Sequence, residues 1–186
     1  MKKIFLPVLM LVLSFNHLHA QAYESWRIEA EIDPIAYALN GYSFHAIVIK
    51  ERLRADAGIF GIRQPSGYSG NAAFTTFTSG YGIKLNYLLN KKESWFAGIG
   101  IGYAENDIEH TESSATAHQN VFSIGVHAGY RWFMFRKREN AMNGIYLAPW
   151  CSVDYNYSEN NVIIQGDQYQ QKKLSLFPTI HLGYKF

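Results

Sequence analysis

The stretch from Leu174 to Phe186, LSLFPTIHLGYKF, alternates without a break. One set of alternate positions reads Leu174, Leu176, Pro178, Ile180, Leu182, Tyr184 and Phe186; the other reads Ser175, Phe177, Thr179, His181, Gly183 and Lys185. Seven successive alternate apolar positions are the period of a half-buried strand and not of a helix. The same period recurs upstream. Residues 144–156 place Ile145, Leu147, Pro149, Cys151, Val153 and Tyr155 on one face. Residues 121–132 do so with Phe122, Ile124, Val126, Ala128, Tyr130 and Trp132. Residues 95–103 set Trp95, Ala97, Ile99, Ile101 and Tyr103 against Phe96, Gly98, Gly100 and Gly102. Residues 80–89 follow the rule, and weaker segments cover 25–33, 42–50 and 53–61. The expected fold is all-β, with eight antiparallel strands.

Alternation alone leaves the inside face undecided. A soluble barrel buries the apolar face, whereas a transmembrane barrel turns it outward to lipid. Three features choose the second. The polar face is rich in glycine, as a crowded eight-strand interior requires. The apolar face carries aromatics where lipid meets water, at Trp26, Trp95, Tyr103, Tyr130, Trp132 and Tyr155. The final strand runs to Phe186. Short connections near 50–52, 90–94 and 133–143 alternate with longer ones near 62–76, 107–118 and 157–173, the short side being periplasmic.

The N-terminus agrees with export. Lys2 and Lys3 precede a mostly apolar run from Ile4 to Phe15, and Ala20-Gln21-Ala22 follows. That is the layout of a signal peptide over 1–22, ahead of a barrel over 23–186. The run is too short to span a bilayer as a helix. Removing it leaves 15 basic and 15 acidic residues, which excludes electrostatic capture of nucleic acid. The single Cys151 excludes an internal disulfide framework.

On these features the chain resembles the small eight-stranded outer-membrane barrels, the group of outer-membrane protein X, outer-membrane protein W and the OmpA transmembrane domain. The resemblance spans 23–186. It implies that Ile180, Leu182, Tyr184 and Phe186 form a C-terminal signal read by the outer-membrane assembly machinery. It implies residence in the outer membrane of a Gram-negative bacterium, with outer-membrane lipid and lipopolysaccharide as surroundings, and a monomer.

The inward face is expected to hold Arg27, Glu29, Glu31, His45, Arg54, Asp56, Lys84, His127, Arg131, Asp154, His181 and Lys185. Charges of both signs in so narrow a lumen pair and fill it. The expectation is therefore a non-enzymatic barrel without an open channel, acting through its loops in envelope integrity or surface interaction. No cofactor or metal is expected, because His45, His127 and His181 fall on strands that do not adjoin. Two alternatives stay open, a lipid A-modifying enzyme and a narrow pore for small solutes. Against the enzyme, Ser123 and His127 are four apart on one strand, roughly 13 Å at ~3.3 Å per residue. Pro149 and Pro178 are expected to mark bulges or weak pairing, since proline donates nothing to a ladder.

Overall fold

A computed structural model describes residues 26–65, 70–134, 144–158 and 161–186. The leader over 1–22 lies outside the described residues, and so does most of the expected connection near 133–143. Eight long strands alternate in direction: β1 (Arg27–Ile32), β2 (Tyr42–Lys50), β3 (Leu53–Gln64), β4 (Phe74–Leu88), β5 (Trp95–His110), β6 (Thr116–Tyr130), β8 (Gly144–Tyr157) and β11 (Leu174–Lys185). A short β7 (Trp132–Phe133) continues β6, and β9 (Val162–Ile164) with β10 (Asp167–Tyr169) makes a separate hairpin. Each long strand pairs antiparallel with the next, and β11 pairs with both β8 and β1, so the sheet closes into a ring. Closure pairs the edges at the level of β1, which is what a sheet in lipid needs.

The outward face sorts by height. On β5, Trp95, Ile99, Ile101 and Tyr103 are exposed, followed by the outward Glu105, Asp107 and Glu109. The apolar part runs from Trp95 to Tyr103, roughly 26 Å along the strand, enough for a tilted membrane crossing. Aromatics bound it. Trp95 meets Tyr130 edge-on at 4.9 Å at the end of the band nearer the short turns; Tyr103 packs on Tyr81 at 5.6 Å at the other end, beside Phe122. Tyr155 continues the outer aromatics on β8 and is half exposed. On β11, Ile180, Leu182, Tyr184 and Phe186 all point outward, and Tyr184 stacks on Phe186 at 5.0 Å.

The strands run taller than the apolar pattern. β4, β5 and β6 pair out to Phe74, His110 and Thr116, so the expected loops at 62–76 and 107–118 shrink. Above the membrane, water solvates both faces and the apolar alternation ends, while the backbone ladder continues. Glu105, Asp107, Glu109 and His118 thus stand on strands.

The prolines behave differently from each other. Register with β11 continues through both Pro149 and Pro178, with no bulge. On its other side, the β8 ladder to β6 ends at Gly129–Trp150 and resumes at Trp132–Leu147. The interruption lies opposite Pro149, which has no N–H to donate.

β1 is only six residues long. Its ladder with β11 ends at Ile32–Leu182 and with β2 at Glu31–His45. Above that level a helix, α1 (Pro34–Ala38), packs against β2, β3 and β11. Asp33 caps it by accepting from the Ile35 N–H at 2.8 Å, with Pro34 in the first turn, where no N–H is needed. The other Asp33 oxygen accepts from the Thr179 hydroxyl at 2.6 Å and ties the helix to β11.

Candidate functional site

The half of the lumen nearer the short turns holds a connected ion cluster. Arg54 reaches Glu29 at 3.2 Å and also bonds Glu31, with Asp56 at 3.8 Å. Arg131 donates to Glu29 at 2.6 Å and is fully buried. The Tyr146 hydroxyl lies 2.9 Å from Glu29 and 2.8 Å from Glu31, bridging the two carboxylates. Asp56 takes His45 at 2.8 Å and Lys84 at 3.3 Å; Glu31 takes His181 at 2.8 Å. These groups come from β1, β2, β3, β4, β8 and β11, with Arg131 just past the end of β6, so the cluster ties together every long strand but β5.

Two glycines make room for it. A side-chain carbon on Gly58 would sit 2.2 Å from the His45 ring, and one on Gly183 would sit 2.3 Å from the Tyr146 ring. The expected small residues are thus seats for specific large ones.

At the periplasmic rim Glu93 gathers the cations. Its carboxylate accepts from Lys185 at 2.9 Å and from Arg27, and lies 3.6 Å from Arg131. The Arg131 Nε also donates to the Glu93 carbonyl at 2.9 Å. Burial pushes the Glu93 carboxyl up, but the hydrogen bonds from Lys185 and Arg27 outweigh it and hold it below the usual glutamate range. The depressed value means that the ionised folded state is favoured at neutral pH and the benefit is lost as pH falls through the folded pKa. Glu93→Gln is expected to cost about 1 kcal/mol at neutral pH, shrinking toward zero in acid. Urea unfolding of the refolded barrel at both pH values checks this; a pH-independent difference would contradict it.

Glu93 is not legible in the sequence, because a charged turn reads as solvated. The expectation that the three lumen histidines stay apart is corrected for two of them. His45 and His181 stack at 4.8 Å between ring centroids, since β1 is the only strand between β2 and β11. Each is also tied to a carboxylate. His127 lies apart, its Nε2 donating to Asn86 Oδ1 at 2.6 Å and its ring packing near Trp150 at 5.8 Å. Asp154 is held by the Ser152 hydroxyl across from Gly125.

The expectation of a lumen filled throughout is corrected. Above the cluster lies a cavity of about 450 Å³. Lys84, His45, His127, His181 and Asp154 line it beside the cluster, and Phe60, Ile62, Leu39, Ala36 and Phe177 line it beside α1. The cavity exists because β1 stops early and because Gly82, Gly100 and Gly102 line its far wall with no side chains.

The outer loops are packed together. Phe74, Ile108, Val162, Ile164 and Tyr169 form a small apolar core joining the β4–β5–β6 wall to the β9–β10 hairpin. Asn71 exchanges two hydrogen bonds with Gln170 at 2.8 and 3.1 Å. His110, buried, points inward: Nε2 meets Asp167 at 3.0 Å, and Nδ1 meets the Ser113 hydroxyl at 3.1 Å. Spacing along a single strand does not show this serine–histidine pair, which a tight turn creates. On the outward face, Asp107 lies 2.6 Å and Glu105 3.5 Å from His118, all three exposed.

No family model matches the chain, and no curated protein matches it by sequence. Among solved structures it is similar to Neisserial surface protein A, with a TM-score of 0.51 and 11% identity, covering 89% of this chain and 100% of that one. A major outer membrane protein of Thermus thermophilus gives a TM-score of 0.48 at 12% identity over 88% of this chain and 100% of that one. At 11% identity the likeness to Neisserial surface protein A is one of fold, that of an eight-stranded β-barrel.

Proposed function

We propose that this eight-stranded barrel is a non-enzymatic outer-membrane protein that works from its outward half, in envelope integrity or surface interaction. One observation carries the reading: the ion cluster around Arg54 and Arg131 closes the periplasmic half, while the outward half keeps a cavity and a packed cap of loops. A barrel built this way does not pass solutes. Its groups below the cavity are spent on each other, which suits a brace and not a path.

The test has two arms. In planar bilayers the protein is expected to give no stepwise conductance; reproducible channels would establish the pore instead. Mass spectra of lipid A from outer membranes with and without overexpression are expected to coincide.

A second reading rests on the Asp167–His110–Ser113 arrangement, which has the order of groups that activates a serine. On that reading the chain is an acyl hydrolase of outer-leaflet lipid. Against it, the Ser113 N–H also points at Nδ1, at 3.3 Å, so the same contacts lock a tight turn. A new lipid A mass that disappears in Ser113→Ala would replace the leading reading with this one.

A further inference from the structure

The lumen cavity has two chemically distinct sides and a thin place in its wall. Toward β3, α1 and β11 it is apolar, with Phe60, Ile62, Leu39 and Phe177. Toward the ion cluster it has a polar floor, the Lys84 ammonium with the imidazoles of His45, His127 and His181 beside it. Arg54 and Arg131 are sealed in the cluster, but the Lys84 side chain keeps 19% of its exposure. Its ammonium carries three protons, of which Asp56 takes one at 3.3 Å. The Lys84 head also lies 4.5 Å from the Trp150 ring centre. The facing carboxylate, Asp154, already holds the Ser152 hydroxyl. Ser43, in the same lining, has a buried hydroxyl with no hydrogen-bond partner among the described residues.

The thin place is where α1 replaces the upper part of β1. Ile35, Trp150, Pro178 and Thr179 line both the cavity and a groove on the lipid-facing side, beside Ala128, Pro149, Cys151 and Ile180. A strand ladder is held by many hydrogen bonds, whereas α1 is held to β11 by the Asp33–Thr179 bond and by packing. Where the groove lies on β8 and β11 the ladder is continuous through Thr179–Trp150 and Pro178–Cys151, and only beside α1, above the Ile32–Leu182 and Glu31–His45 pairs, do side chains stand in for a strand.

We propose that the cavity binds a single-chain amphiphile with an anionic head, its alkyl chain along Phe60, Ile62, Leu39 and Phe177 and its head on Lys84, entering from the outer leaflet past α1. A volume of about 450 Å³ falls within the range of small-molecule sites, ~300–1,000 Å³, and a mostly apolar lining with a few convergent polar groups is their usual composition. A lumen that served only as a brace would have no use for an apolar void next to an incompletely covered ammonium.

The experiment uses the barrel in bilayer nanodiscs, with Trp26, Trp95 and Trp132 changed to Phe so that Trp150 reports from the cavity wall. The probe is a terminally brominated dodecanoate, which quenches tryptophan on close approach. Saturable quenching is expected, over the linear background of probe dissolved in the bilayer. Ala104→Phe, which fills the cavity without touching the ion cluster, is expected to abolish the saturable part. Lys84→Met is expected to weaken the carboxylate about tenfold, the worth of one charge-assisted hydrogen bond, and to leave the matching brominated alcohol unchanged. Purely linear quenching, or saturable quenching indifferent to Ala104→Phe, overturns the site; equal binding of acid and alcohol to the unsubstituted lumen overturns the anionic head. The proposal rests on the closed-barrel reading, and the two fail separately: conductance would sink the closed barrel, while absent quenching in a non-conducting barrel sinks only the ligand site.

Discussion

Arg54→Met is expected to lower the unfolding free energy of the refolded barrel by about 3–5 kcal/mol, the usual cost of removing one partner from a buried ion pair. Arg54 is 2% exposed and serves Glu29, Glu31 and Asp56 together. Its loss leaves three buried carboxylates with the remaining cations Arg131 and Lys84 and with the imidazoles of His181 and His45. The methionine fills much of the same volume, so the measured loss reports charge and not a cavity. Adding Glu31→Gln should recover part of the stability, since it removes one of the stranded charges while keeping the shape. Urea titration of single and double variants in the same lipid measures both. A single-variant cost under about 1 kcal/mol, in the range of exposed pairs, would mean that water reaches the cluster and that the periplasmic half is not sealed.

Ile99→Arg is expected to cost about 2–4 kcal/mol, because the side chain stands at mid-height on the lipid face. Ile99 is 61% exposed, flanked by Leu85 and Val126 across the ladder, halfway between Trp95 and Tyr103. For a soluble protein a residue so exposed would tolerate arginine within about 0.5 kcal/mol. The same change at Glu109, on the same face of the same strand but above the apolar band, is expected to stay within that limit. Folding yield into vesicles and urea midpoints of the two variants give the comparison. If Ile99→Arg were neutral, the exposed apolar band would not face lipid and the inside–outside assignment of the barrel would be reversed.

The alternation in 174–186 and 95–103 suffices to read the strands and to sort their residues into two faces, and the glycine-rich polar face and the aromatic ends of the apolar one then say which face is inward. A period of two is a local property: each side chain's partner surface follows from the residue's parity alone. Parity also places every charge of the lumen set inward, from Arg27 to Lys185. What parity does not carry is distance around the ring or height along it. The meeting of His45 with His181, the bridge by Tyr146 between Glu29 and Glu31, and the capture of Arg131 by a turn glutamate all join residues far apart in sequence. Those contacts depend on closure and stagger, which only the assembled ring sets. The tall β4–β6 wall is hidden for a different reason, since its outer part is wet on both sides and has no apolar face to read.

By itself, then, the sequence determined that this chain forms antiparallel strands with an apolar exterior and a charged interior, because alternation and the placement of glycines and aromatics are written residue by residue. The tertiary structure alone decided that the interior is divided into a sealed ion cluster and an open cavity. That division follows from where β1 stops and α1 begins, and from which side chains closure brings opposite the glycines. Both are consequences of how eight strands share one narrow space.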